Sequence, residues 1–236
     1  MQQGQKHLDL SLYTSVLAVC AHPDDESFGL GAVLLAFADQ QVETAVLCFT
    51  HGELSTLGVS TVTADEVADI RAHEFEQAAL RLNLAYAELL DYPDGQLNRT
   101  PVHELSEKII SLCNGLAVDA LLVFDVGGIT GHPDHEMATQ AALYARDTIV
   151  GFPDIATPDV LGWVVPLHVG EKLNTELGTK FIGRTPTSVE FVLEVPHGLR
   201  ERQWEAIKCH KSQVIGNAVL PRRLELQGGY EWLKKL

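Results

Sequence analysis

Positive charge is what this chain has least of. Its 236 residues carry 17 Lys+Arg against 32 Asp+Glu, a formal net charge of -15. That balance disfavours a nucleic-acid backbone or an anionic membrane surface as partner, because both are held by cations on the protein. Cysteine is scarce as well: Cys20, Cys48, Cys113 and Cys209 are scattered, with no C-x-x-C pair among them. So few thiols in so long a chain exclude a disulfide framework, and a reducing cytoplasm is the expected setting. No apolar run reaches membrane-spanning length, and the opening MQQGQKHLDLSLYTSV lacks the apolar stretch and cleavage site of a secretion signal. Repeats, low-complexity tracts and linker-like segments are missing too, which argues for one domain spanning 1–236.

What the chain does have is alternation. Short apolar or β-branched runs at 15–21, 43–50, 85–92 and 119–126 are separated by segments with helical spacing at 28–39, 65–82, 102–116 and 134–147. Within 65–82, Val67, Ile70, Phe75, Ala78, Ala79 and Leu82 recur every three or four residues. Strand–helix alternation of this kind predicts an α/β fold, a mostly parallel sheet with helices on both faces. The last ninety residues are less regular: DVLGWVVPLHV and SVEFVLEVP read as strands, 170–187 as a polar loop, 197–213 as helix, and the tail is ambiguous.

In open parallel sheets ligands bind outside the carboxyl ends of the strands. Here the four strand ends run into HPDDE, THGE, YPDG and GGITGHPDH, whereas the opposite ends carry ordinary turns. Two of these loops share the string H-P-D. HPDD offers His22 and Asp25 at i and i+3, and HPDH offers His132 and His135 at the same spacing. Imidazoles plus one carboxylate are a common ligand set for catalytic zinc, with a position left open for water. A dication would also explain three adjacent acids, Asp24, Asp25 and Glu26, which otherwise repel one another. Helix capping is the competing account of one such loop, since acids suit a helix start, but it does not explain two related strings.

Other features decide less. GLGA at 29–32 has only part of a dinucleotide-binding fingerprint, which disfavours a nucleotide-binding role. Arg71 and Glu74 have the spacing of a surface ion pair, and Asp94 in YPDG could simply nucleate a turn.

The strings AHPDDESFGLGAVL and TGHPDHEMA, with FTHGE, IRAHEFEQAALRLN, DYPDG and a late KCHKSQ in the same order, resemble the LmbE-like, or PIG-L, family of metal-dependent N-deacetylases. The resemblance covers most of 15–147 and one short C-terminal segment. It implies a Rossmann-like fold holding one Zn2+ per chain, other divalent metals being tolerated by the same donors. It implies His22, Asp25 and His135 as metal ligands and Asp24 as general base. His132 is then the residue that stabilises or protonates the tetrahedral intermediate, and Asp134 its acidic neighbour. Arg71 and Asp94 fall where relatives contact substrate, and His210 where they have a site wall or outer support. Glu26 is assigned only helix-start or supporting electrostatics.

The implied activity is removal of the acetyl group from an N-acetylglucosamine-type amino sugar, with N-acetylglucosaminyl-malate of bacillithiol biosynthesis ranked first. An amidase for thiol–sugar conjugates and a zinc-binding protein without catalysis are the alternatives. The resemblance also implies a homo-oligomer. Thr130 departs from relatives that place an aromatic residue there, and 150–187, which matches nothing, is expected to shape the substrate mouth.

Overall fold

The computed structural model describes residues 5–56 and 62–236. Eight strands form a single sheet: β1 (Lys6–His7), β2 (Ser15–Cys20), β3 (Glu43–Thr50), β4 (Tyr86–Tyr92), β5 (Ala120–Phe124), β6 (Asp159–Val164), β7 (Phe191–Glu194) and β8 (Tyr230–Lys235). Their spatial order is β1-β7-β8-β6-β5-β2-β3-β4. Pairing is parallel throughout except where β8 inserts antiparallel between β6 and β7.

Among the described residues ten α-helices connect them: α1 (Asp25–Phe28), α2 (Gly31–Asp39), α3 (Ala64–Arg81), α4 (Val102–Gly115), α5 (Gly128–Gly131), α6 (Pro133–Ile149), α7 (Leu167–Leu177), α8 (His197–Ile207), α9 (Lys211–Val214) and α10 (Val219–Gln227). Because successive side chains of a strand point to opposite faces, β2 feeds two cores. Val16, Ala18 and Cys20 pack with α2, Phe75 of α3 and Leu173 of α7. Leu17, Val19 and Ala21 pack with Leu105 and Ile109 of α4 and Ala141, Ala142 and Ala145 of α6. Helices therefore cover both faces, which is the doubly wound arrangement the alternation predicts.

The chain runs β2-β3-β4 outward on one side and places β5 on the other side of β2. The carboxyl ends of β2 and β5 thus flank the point where strand order reverses, and the two H-P-D loops emerge there.

Several local expectations change. The predicted helix at 28–39 is two helices, α1 and α2. Part of the expected polar loop at 170–187 is helical, because α7 buries Val169 and Leu173. The ambiguous tail resolves into α10 and β8. Ile70, placed on the apolar stripe of α3 by periodicity, is exposed, whereas Val67, Phe75, Ala78 and Leu82 are buried. No helix of the described residues is long and apolar enough to cross a membrane.

Candidate metal centre

Four strand ends converge on one cavity of 430 Å³. His22, Asp24 and Asp25 reach it from the β2 end, Leu54 and Ser55 from β3, Asp94 and Gly95 from β4, and His132 and His135 from beyond β5. Arg71 of α3 and Gln213 of α9 complete the wall.

At its floor three donors face one another. His22 Nδ1 lies 3.2 Å from His135 Nε2, His135 Nε2 lies 3.3 Å from Asp25 Oδ1, and His22 Nδ1 lies 3.8 Å from Asp25 Oδ2. Donors bound tetrahedrally at ~2.0–2.1 Å lie roughly 3.3 Å apart, a spacing met by the His22–His135 and His135–Asp25 pairs, whereas the His22–Asp25 approach is longer and uses the other carboxylate oxygen. The partners of the remaining ring nitrogens set which nitrogen faces the cluster. His22 Nε2 is 3.1 Å from Asp94 Oδ1 and 3.4 Å from Asp134 Oδ2, so Nε2 keeps its proton and Nδ1 is the nitrogen that would give up its proton and offer a lone pair to a cation. His135 Nδ1 donates to the Gly128 carbonyl at 3.2 Å and frees Nε2 in the same way. Gly128 has φ +64°, and a Cβ there would stand 2.9 Å from His135 Cβ, so the close approach of this carbonyl needs glycine.

The local field is strongly negative. Burial alone would depress the His22 pKa, but its hydrogen bonds to Asp134 and Asp94 and the Asp25 charge outweigh it and raise it to about 10. Burial likewise favours neutral Asp25, yet the charges and hydrogen bonds of His135 and His22 hold its carboxylate far below the usual range. His132 also lies within 4.8 Å of His22 and His135 and could join them as a ligand. Its Nδ1, however, accepts the Asp134 N–H at 3.2 Å as the N-cap of α6, with Pro133 in the first turn. Burial and the neighbouring His22 and His135 push the His132 pKa down, so the ring is neutral at neutral pH.

Asp24 stands apart from the other carboxylates. Its backbone has φ 120°, a conformation L-residues rarely adopt, and its side chain makes no capping hydrogen bond to α1. Two partners hold it. Glu26 Oε2 accepts the Asp24 N–H at 2.9 Å, and Arg71 Nη2 donates to Asp24 Oδ2 at 3.1 Å. Arg71 also donates to the Gly52 carbonyl at 2.8 Å and to the Pro23 carbonyl. Gly52 has φ +64°, and a Cβ there would collide with the guanidinium at 2.1 Å. Burial raises the Asp24 pKa to about 6, partly opposed by Arg71 and reinforced by Asp25.

The bland readings of Arg71 and Glu74 fail on burial. Both are buried, and Glu74 accepts from Ser212 N–H and Oγ rather than pairing with Arg71. Asp94 accepts the Leu54 N–H at 3.0 Å in addition to facing His22. Asp134 is fully buried and accepts from Gly95 N–H at 2.7 Å and Leu97 N–H at 3.1 Å, so it ties the β4 loop to α6 and does not line the cavity. His210 does not line it either: it is fully buried, with Nε2 2.6 Å from Glu26 Oε1. Glu26 thereby gains a place, linking His210 to the backbone of Asp24. The KCHKSQ segment reaches the cavity through Gln213, whose Oε1 accepts from Ser55 Oγ at 2.9 Å. Gln213, Leu54 and Ser55 were not singled out from sequence, although KCHKSQ and FTHGE border them. None of the cavity's wall comes from 150–187.

Residues 17–146 match the PIG-L family model, described as GlcNAc-PI de-N-acetylase. That span is more than half of the chain and contains His22, Asp25, His132 and His135. The chain belongs to the PIG-L family. A Bacillus anthracis protein named probable N-acetyl-alpha-D-glucosaminyl L-malate deacetylase 2 is 29% identical over 136 residues, 57% of this chain and 60% of that relative. This PIG-L member spans about half the length of the curated relatives it matches.

Among solved structures, the N,N'-diacetylchitobiose deacetylase from Pyrococcus horikoshii superposes with a TM-score of 0.70 at 19% identity, over 94% of this chain and 84% of that one. GalB, the 4-carboxy-2-hydroxymuconate hydratase from Pseudomonas putida KT2440, superposes with a TM-score of 0.74 at 17% identity, over 94% and 96%. Both share the fold. A deacetylase and a hydratase on one scaffold mean that the fold alone does not choose the reaction.

Proposed function

We propose that this PIG-L member hydrolyses the amide of an N-acetylglucosamine-type amino sugar with the help of one zinc ion, and that N-acetylglucosaminyl-malate is the first substrate to test. One observation carries the reading. Beside three converging donors stands Asp24, a carboxylate that is not spent on the cluster and is held at its edge by Arg71. A site meant only to bind a metal has no use for it.

A divalent cation held by His22 Nδ1, Asp25 and His135 Nε2 would supply a water of lowered pKa and a polarised amide carbonyl. The chain's own residues do the rest. Asp24 accepts the proton of the attacking water as the C–O bond forms. His132, with Nδ1 occupied by the Asp134 N–H, has its proton on Nε2 and donates it in a hydrogen bond to the carbonyl oxygen as that oxygen gains charge. Asp24 then returns its proton to the departing nitrogen, the C–N bond breaks, and a free amine and a carboxylic acid leave, the acid giving its remaining proton to solvent or to the amine. Arg71 and Asp94 border the polar cavity, which supports assigning them contacts with the hydroxyls of a sugar.

The 29% identical relative from Bacillus anthracis supports the substrate class, since its name is that of a probable N-acetylglucosaminyl L-malate deacetylase. The test is acetate release from N-acetylglucosaminyl-malate and from simpler N-acetyl sugars, with and without chelator. Release that chelator abolishes and added zinc restores is the expected result; release indifferent to chelator removes the metal from the reading.

A further inference from the structure

A second cavity opens beside the polar one. It measures 160 Å³, roughly ten times the space one water needs on the same measure. It shares Asp25 and His135 with the polar cavity, and its other walls are mainly Phe28, Phe124, Trp163, Phe181 and Leu220. Trp163, Phe181 and Leu220 lie outside residues 17–146, so this wall comes from the part of the chain that the family model does not match.

The wall is built at some expense. Ile129 sits in it at φ 67°, which is unfavourable for a β-branched residue, and the Ile182 N–H holds its carbonyl at 2.6 Å. Arg223 contributes a guanidinium, whose Nη1 donates to Gln227 Oε1 at 2.6 Å and whose Nη2 donates to the Phe28 carbonyl. The guanidinium also stacks over Trp163 at 4.9 Å. Two of its N–H groups are thus taken and its face lies over Trp163, so aromatic and aliphatic side chains make most of the cavity's surface.

An amide carbonyl at the Asp25–His135 junction has two arms. The amine arm suits the cavity lined by Asp24, Arg71 and Asp94, so the acyl arm is directed to the apolar one. Resting on the amide-hydrolase reading above, we propose that this cavity is an acyl subsite and that the preferred substrates carry an apolar acyl group longer than acetyl. An acetyl methyl would leave most of it unfilled.

The test compares N-acetyl-, N-butyryl- and N-hexanoyl-glucosamine with the zinc-loaded protein. Each methylene that enters the cavity should raise kcat/KM about fourfold, so butyryl should exceed acetyl by at least ~10-fold. Thr130→Trp, at the exposed rim, and Val219→Trp, on the wall, should each bring the butyryl-to-acetyl ratio close to one. A binding measurement without turnover runs alongside: affinity for acetate, butyrate and hexanoate by NMR titration should rise with chain length in the wild type and stay flat in both variants. Hydrolysis of the acetyl compound with tenfold poorer turnover of the longer ones overturns the subsite and leaves the hydrolase reading standing. If no amide is cleaved, that reading fails, and the carboxylate titration alone decides whether the cavity takes an apolar chain: affinity flat with length overturns it.

Discussion

Two loops carry the same string, and they use it differently. In the first, His22 turns Nδ1 toward His135 and Asp25 and buries Nε2 against Asp94 and Asp134. In the second, His132 spends Nδ1 on capping α6. The third residue diverges most. Asp24 sits at φ 120° beside the open cavity with its pKa raised to about 6, burial being the main cause. Asp134 is fully buried, and its hydrogen bonds to His22, Gly95 and Leu97 outweigh burial and lower its pKa. Only the fourth residues agree, for Asp25 and His135 both face the cluster. Identical side chains thus acquire opposite properties from the backbone that presents them: a strained turn leaving a buried strand, or the regular first turn of a 17-residue helix.

The sharpest way to break this contrast is to truncate the two histidines of the second loop separately. His135→Ala should lose stoichiometric metal and all turnover. His132→Ala should keep the metal and lose ~10²–10³ in kcat, the usual cost of one oxyanion donor. Loss of metal from both, by elemental analysis, would make His132 a ligand and erase the distinction. Next in size, Asp24→Asn should retain metal and lose ~10²–10⁴ in turnover, the range of general acid–base catalysis.

Its counterpart Asp134→Ala should act through stability. It strands the Gly95 and Leu97 N–H groups, at about 1–3 kcal/mol for each buried donor left unpaired, readable by urea unfolding. The smallest effect is a pH trend in metal-free protein. With its folded pKa near 6 against ~3.9 unfolded, Asp24 holds a proton that the unfolded chain releases, so its contribution falls as pH rises from about 4 to 6. Asp134, with a lowered pKa, contributes stability above ~3.9 that is lost as pH falls through its folded value. Wild type measured against Asp24→Asn and against Asp134→Asn should therefore give slopes of opposite sign in two adjacent windows. Slopes of the same sign would mean that the two aspartates share one environment.

Much of this was legible in the sequence, for physical reasons. Alternating runs predict the parallel sheet because a strand buried on both faces must be apolar along its length, as SVLAVC and ALLVF are. Polar residues gathered at four strand ends predict a common site because those ends lie side by side. What was not legible depends on contacts across long sequence separations. Glu26 cannot be explained without His210, 184 positions away. Arg71 and Glu74 look like surface neighbours until Asp24 and Ser212 claim them. From 150–187, Trp163 and Phe181 line the apolar cavity, which no pattern in that stretch announced, while the polar cavity takes nothing from it.

The sequence by itself determined the α/β class, the family and the position of the metal-ligand candidates. These rest on local patterning and on motifs that must be contiguous to work. Only the tertiary structure decided which nitrogen of each histidine faces the cluster, which aspartate is left at the cavity edge, and that a second, apolar cavity meets the same two residues. Tautomer, strain and cavity shape are set by atoms brought from distant parts of the chain, and no local pattern encodes them.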